Sequence, residues 1–187
     1  MQTERAMYND LESILYTREQ LAEAVKALGQ RITQDYQGKK PVFICILKGA
    51  SVFFCDLIRE IDLPLEIDFM VVSSYGASTK STGEVKLVKD LDRSIRGRDV
   101  IIVEDIVDSG MTLNFLKHTL LTRGAASLRI ATLLDKPARR VAPLSVDYSC
   151  FNIPDAFVVG YGLDYDEYYR NLPYIGILKP SVYGGEE

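Results

Sequence analysis

Two hydrophobic periodicities alternate along this chain. Leu21, Val25, Leu28, Ile32 and Tyr36 recur at three- and four-residue spacing, which predicts an amphipathic helix over "TREQLAEAVKALGQRITQDYQG". Thr17 and Gln20 form a capping-box pair at its start, and Gly38 stands where the helix should stop before Pro41. "PVFICILKGAS" is instead a continuous apolar run ending in Lys48 and Gly49, the pattern of a strand buried on both faces that enters a tight loop. "SVFFCDLIREI" reads as the next helix. "LEIDFMVVSSYG" and "GEVKLVKDLD" read as strands, and the small polar residues "ASTKST" between them have the composition of a mobile loop.

A second apolar run, "DVIIVEDIV", leads into "MTLNFLKHTLLTRGA", a predicted helix with Leu113, Leu116, Leu120 and Leu121 on one face and Gly124 at its end. "SLRIATLLDKP" is another strand. The stretch from Val146 to Pro180 holds two or three short strands, interrupted by Pro154 and by a loop rich in tyrosine and acid. Helices alternating with apolar strands predict an α/β fold with a largely parallel central sheet flanked by helices.

Composition narrows the possibilities. A chain of 187 residues that is 47% hydrophobic and 26% charged can build one sizeable core and is short for two, so a single domain over residues 1–187 is expected. With 22 basic and 26 acidic residues the formal net charge is -4, so no global positive field gathers nucleic acid or an anionic membrane. Cys45, Cys55 and Cys150 are widely spaced and form no CxxC pair, as expected of buried, reduced thiols in a cytoplasmic protein. The polar start "MQTERAMYNDLES" lacks an apolar signal core, and no run is long enough for a membrane helix.

The candidate chemistry lies where the second apolar run ends. In "DVIIVEDIVDSGMTL" a strand delivers Glu104, Asp105 and Asp108 to its carboxyl end, where open α/β sheets bind ligands. Gly110 lets backbone approach a ligand closely, and the N–H groups of the helix start, with the hydroxyls of Ser109 and Thr112, make a phosphate cradle. Neither GxxxxGK[ST] nor GxGxxG occurs. Acids beside a phosphate repel it unless they serve a divalent cation, sugar hydroxyls or a proton to be removed. His118, the only histidine, falls within the helix and receives no role.

"VIIVEDIVDSGMTL" resembles the phosphoribosyl-diphosphate-binding signature of the type I phosphoribosyltransferases, and Asp108, four positions after Glu104, resembles the branch that uses 6-oxopurines. "ILKGA" resembles that family's first loop, "SSYGASTKSTGEVK" its mobile loop, "LLDKP" its purine-reading lysine, and "PDAFVVGYGLDYDEYYRNLPYIG" its base-stacking and metal segment. The resemblance spans residues from about 10 to about 180. It implies a small hood formed by the N-terminal segment and residues from about 150 to 187, and a mobile loop over about 74–84 headed by Ser74 and Tyr75.

The roles it implies are specific. Glu104 and Asp105 would hold ribose hydroxyls and a magnesium ion, and Asp108 would be the base or hydrogen-bond partner for the purine's imidazole proton. Ser109, Gly110, Met111 and Thr112 would bind the 5-phosphate, although relatives often carry lysine or glycine where Met111 stands. Lys136 would donate to the purine 6-oxygen; spacing alone would make it a solvated surface charge. Phe157 would stack on the base while the Val158 backbone reads its edge; periodicity alone would place Phe157 in the core. Asp164 would belong to the purine-binding set and also bind a second magnesium ion on the diphosphate, and Arg170 would pair with that diphosphate.

Lys48 and Gly49 fall where the family's diphosphate loop exposes backbone N–H groups, in some relatives through a non-proline cis peptide. Tyr161, Tyr165, Tyr168 and Tyr169 read as packing. The implied activity is transfer of a phosphoribosyl group to hypoxanthine or guanine, by a homodimer or homotetramer acting on small molecules with Mg2+. Two alternatives remain: a regulator of the same fold that senses nucleotide or binds RNA, and an enzyme preferring xanthine or another base.

Overall fold

The computed structural model describes residues 7–74 and 85–184. Tyr75 and the rest of the expected mobile loop through residue 84 lie outside them, and Ser74 is the last residue of its strand. Six strands form the main sheet: β2 (Val42–Leu47), β3 (Glu66–Ser74), β4 (Val85–Lys89), β5 (Asp99–Val107), β6 (Ser127–Asp135) and β7 (Tyr148–Asn152), in the order β4-β3-β2-β5-β6-β7. Every pairing is parallel except that of β4 with β3. The largely parallel sheet expected from the alternation is therefore present.

Its two faces are read from the alternation of side chains along β2 and β5. Phe43, Cys45, Ile101 and Val103 pack with helices α1 (Arg18–Asp35) and α2 (Ser51–Arg59) in one core. Val42, Ile44, Ile46, Val100 and Ile102 pack on the other side with α3 (Met111–Thr122). Because both faces are covered, these strands read as unbroken apolar runs. The predicted capping box of α1 is formed: Thr17 Oγ1 accepts from Gln20 N–H at 3.3 Å, and Gln20 Oε1 accepts from Thr17 N–H at 2.9 Å. The α1 face is Leu21, Val25, Leu28 and Ile32, with Tyr36 buried just past its end.

Two expectations need correction. Leu121 does not share the buried face of α3: it is 41% exposed, because one residue past Leu120 turns the side chain about 100° around the helix. Cys55 is an exposed residue of α2, while Cys45 is buried. The periodicity also passed over one strand, β1 (Leu11–Tyr16). It pairs antiparallel with β9 (Ile175–Leu178), which also pairs with β8 (Val158–Val159), giving a separate three-stranded sheet. β1 buries only Leu11 fully and its register is broken twice, so it carries no clean period of two. A four-residue helix, α4 (Pro180–Tyr183), follows β9.

Candidate active site

In the main sheet β3 lies to one side of β2, and β6 and β7 lie beyond β5. The chain thus leaves β2 and β5 in opposite directions across the sheet, and such a switch point opens a crevice at the carboxyl ends of these two strands. The loop after β2 and the turn after β5 face each other there. A Cβ added to Gly49 would fall 1.7 Å from Asp105 Oδ2, so only glycine allows the two loops to approach this closely. The peptide between Leu47 and Lys48, one bond before Lys48–Gly49, is cis.

Residues Glu104 to Leu113 line a cavity of about 240 Å³. Gly110 is the N-cap of α3 with φ +77°, and no side chain caps the helix. The left-handed turn thus starts α3 at the cavity, and a helix start without a side-chain cap has free N–H groups and a positive dipole end, which suit an anion. Met111 N–H lies 3.4 Å from Ser109 Oγ, and the Met111 side chain is 46% exposed. Glu104 Oε1 and Asp105 Oδ1 accept hydrogen bonds from the N–H groups of Asp105 and Ile106 at 3.2 and 2.7 Å.

Burial, reinforced by the Asp105 carboxylate, pushes the Glu104 carboxyl well above the ordinary range. Burial raises Asp105 as well, against the pull of hydrogen bonds and of the Arg170 charge. Two acids so placed are poorly stabilised when ionised, and a divalent cation or sugar hydroxyls would relieve both. The described residues contain no group of three or more His, Cys, Asp or Glu arranged to hold a metal unaided. Any cation here would therefore share its coordination with ligand oxygens.

The residues expected to meet a purine lie beside this turn. Lys136 is only 6% exposed, contrary to the surface position that spacing alone implied. Its N–H donates to Val107 O at 3.0 Å, and its ammonium donates to Ala156 O at 2.6 Å. These two bonds bring the lysine next to Asp108 on one side and Phe157 on the other. Asp108 Oδ1 is buried without a hydrogen bond among the described residues, its nearest cation being Arg139 Nε at 3.3 Å. Phe157 is 38% exposed instead of belonging to the core, with Tyr183 stacked on it at 4.7 Å and Tyr165 meeting its edge at 5.7 Å. Val158 is buried in β8.

A third group comes from the loop between β8 and β9. Asp164 is not joined to Glu104 and Asp105; it pairs with Arg170 at 2.9 Å. Arg170 Nη1 donates to Gly162 O at 2.8 Å, and its buried Nε has no hydrogen-bond partner among the described residues. Lys48, in the loop after β2, pairs with Glu167 of this loop at 2.9 Å. Of the tyrosines read as packing, Tyr161 and Tyr169 are buried, whereas Tyr168 is 69% exposed.

Three residues of the site had no role in the sequence reading. Arg140 donates through Nε to Asp108 O at 3.2 Å and through Nη1 to Leu144 O at 3.2 Å, and it pairs with Asp135. It thereby braces the turn that carries the base candidate. Arg139 bridges Asp108 and Asp155, each at 3.3 Å, and Asp155 lies 3.7 Å from the Lys136 ammonium. The adjacent arginines after "LLDKPA" were the available signal; their partners lie up to about thirty residues away and leave no mark on periodicity.

The phosphoribosyl transferase domain family matches residues 12–166. The chain belongs to this family. Among curated relatives of this phosphoribosyltransferase, the hypoxanthine-guanine phosphoribosyltransferase of Bacillus subtilis is 56% identical over 177 residues, covering 95% of this chain and 98% of its own. That of Streptococcus thermophilus is 53% identical over 174 residues, covering 93% and 97%. A crystal structure of a hypoxanthine phosphoribosyltransferase from Staphylococcus aureus superposes with a TM-score of 0.92 at 54% identity, over 95% of this chain and 97% of that one.

Proposed function

We propose that this phosphoribosyltransferase moves the 5-phosphoribosyl group of phosphoribosyl diphosphate onto hypoxanthine or guanine, releasing diphosphate, as a purine-salvage enzyme. The observation that carries the reading is Lys136: its buried ammonium, held by Ala156 O and faced by Asp155, sits between the Asp108 turn and the Phe157 segment with donor capacity left for a ligand oxygen. An ammonium donor complements a 6-oxygen and disfavours the 6-amino group of adenine. The names of the relatives agree. The regulatory alternative has no such support.

The steps follow from where charge develops. As the bond from ribose carbon 1 to diphosphate loosens, the sugar becomes cationic and the leaving group gains negative charge, so stabilising both is the main catalytic task. Ser109, Gly110, Met111 and Thr112 hold the 5-phosphate, with Met111 contributing its N–H alone. Glu104 and Asp105 hold the ribose hydroxyls and offer carboxylate charge to the sugar. Lys48, Gly49 and Arg170 receive the diphosphate, for which the unpartnered Arg170 Nε is a ready donor. Asp108 accepts the imidazole proton as the purine nitrogen attacks, while Phe157 stacks on the base and Val158 offers backbone to its edge.

Glu104, Asp105 and Asp164 would hold Mg2+, which would supply positive charge to the departing diphosphate. Asp164 would have to release Arg170 to serve it. An exposed cationic sugar would be hydrolysed, so the reaction needs water kept from carbon 1. The whole chain acts as one domain, with β1, β8 and β9 as its hood, in a cytoplasmic homodimer or homotetramer that acts on small molecules.

An ultraviolet assay with phosphoribosyl diphosphate, Mg2+ and, in turn, hypoxanthine, guanine, xanthine, adenine and uracil tests the reading. Nucleotide should form with hypoxanthine and guanine. No product from either, together with tight binding of RNA, would overturn the enzyme in favour of the regulator.

A further inference from the structure

The loop that carries Arg170 is fixed to the loop that carries Gly49 by a contact outside the reacting groups. Gly160, Tyr161 and Gly162 all have positive φ, at 100°, 51° and 104°. This conformation is ordinary for glycine and uncommon for tyrosine, so something must hold residue 161 in it. The Tyr161 side chain is 8% exposed, and its hydroxyl donates to Asp56 Oδ2 at 2.5 Å. Asp56 belongs to α2, the helix that begins directly after the Lys48–Gly49 loop, and it also pairs with Arg59.

The backbone on either side of Tyr161 transmits this anchor. Gly162 lies so close to the first loop that an added Cβ would fall 2.2 Å from Gly49 O. Gly162 N–H donates to Arg170 O at 2.9 Å, and Arg170 Nη1 returns a bond to Gly162 O at 2.8 Å. Residues 161 and 162 are therefore the bridge between α2, the Gly49 backbone and the guanidinium. The Tyr161 phenol is pushed above its ordinary range, by burial first and by the Asp56 carboxylate second, and so remains a donor.

We propose that Tyr161 and Asp56 are positioning residues for the diphosphate subsite: their hydrogen bond sets the spacing between the Gly49 backbone and Arg170. This deepens the proposed function and rests on its assignment of the diphosphate to those two groups. Neither Tyr161 nor Asp56 needs to touch the substrate. The purine side, held through Lys136, Ala156 and Asp108, does not depend on this bond.

The test is steady-state kinetics on Tyr161→Phe, Asp56→Ala and the double variant, with each substrate varied in turn and the melting temperature measured alongside. Tyr161→Phe keeps the buried ring and removes only the hydroxyl. It should raise KM for phosphoribosyl diphosphate, and the inhibition constant for added diphosphate, by about fivefold or more while KM for hypoxanthine stays within about twofold. The double variant should be no worse than the worse single variant, as expected when both remove one interaction. Equal rises in both KM values, or none in either, would overturn the positioning role while leaving the enzyme assignment intact. Wild-type protein that made no nucleotide at all would instead overturn the proposed function.

Discussion

The two halves of the site are built from opposite kinds of sequence. Residues 104–112 are consecutive: one buried strand, one left-handed glycine and one helix start deliver acids, hydroxyls and N–H groups into a single cavity. Residues 157–172 deliver theirs through a loop whose shape is fixed by distant partners: Asp56 for Tyr161, Asp10 for Tyr169 and Gly49 for Gly162. The first half is rigid because it ends a central strand, whereas the second is rigid only while its docking holds. Changes in the first half, the buried Glu104–Asp105 pair apart, should therefore alter chemistry at nearly constant stability, and changes in the second should alter both.

The largest effect belongs to the first half. Asp108→Asn keeps the size of the side chain and leaves the main-chain bond from Arg140 to Asp108 O available. If Asp108 takes the purine proton, turnover should fall about 100-fold or more while the dissociation constant for phosphoribosyl diphosphate changes little. Rapid-quench kinetics with equilibrium binding separates the two, and an unchanged turnover would remove Asp108 from the base role.

Gly162→Ala tests the second half. The new methyl would press on Gly49 O, and φ of +104° would be strained for alanine even without that contact. A loss of about 2 kcal/mol or more, seen as a melting temperature lowered by several degrees, should accompany a rise of about tenfold in KM for phosphoribosyl diphosphate. A rise in KM at unchanged melting temperature would mean that the docked loop adds nothing to the fold and that the contrast between the halves is mistaken.

The same contrast explains what could be read from the sequence. The buried strands β2 and β5 and the glycine turn at Gly110 follow from apolar runs and a few local residues, so they were legible without a partner, whereas the order of the strands in the sheet was not. Lys136 and Phe157 were not: periodicity made one a surface charge and the other core, and only the family resemblance reversed both. Their positions depend on Ala156 O, twenty residues along the chain from Lys136, and on Tyr183. Arg139, Arg140 and Asp155 went unread for the same reason. β1 escaped because the strand it pairs with lies more than 150 residues away and its own pattern is half-exposed.

The smallest effect concerns the cost of assembling the first half. Glu104 has a folded-state pKa above its ordinary value, because burial and the neighbouring Asp105 disfavour its ionised form. Between the ordinary and the raised value the folded state binds more protons than the unfolded chain, so the contribution of Glu104 to stability is complete at acid pH and declines as pH rises through that window. Glu104→Gln keeps the shape and cannot ionise, so the ligand-free variant should gain melting temperature relative to wild type as pH is raised from about 5 to about 8. Phosphoribosyl diphosphate with Mg2+ should narrow the gap by giving the wild-type carboxylate a cation. A difference independent of pH would mean that Glu104 is already stabilised as a carboxylate in the free enzyme, and that this half of the site carries no electrostatic strain for the ligand to relieve.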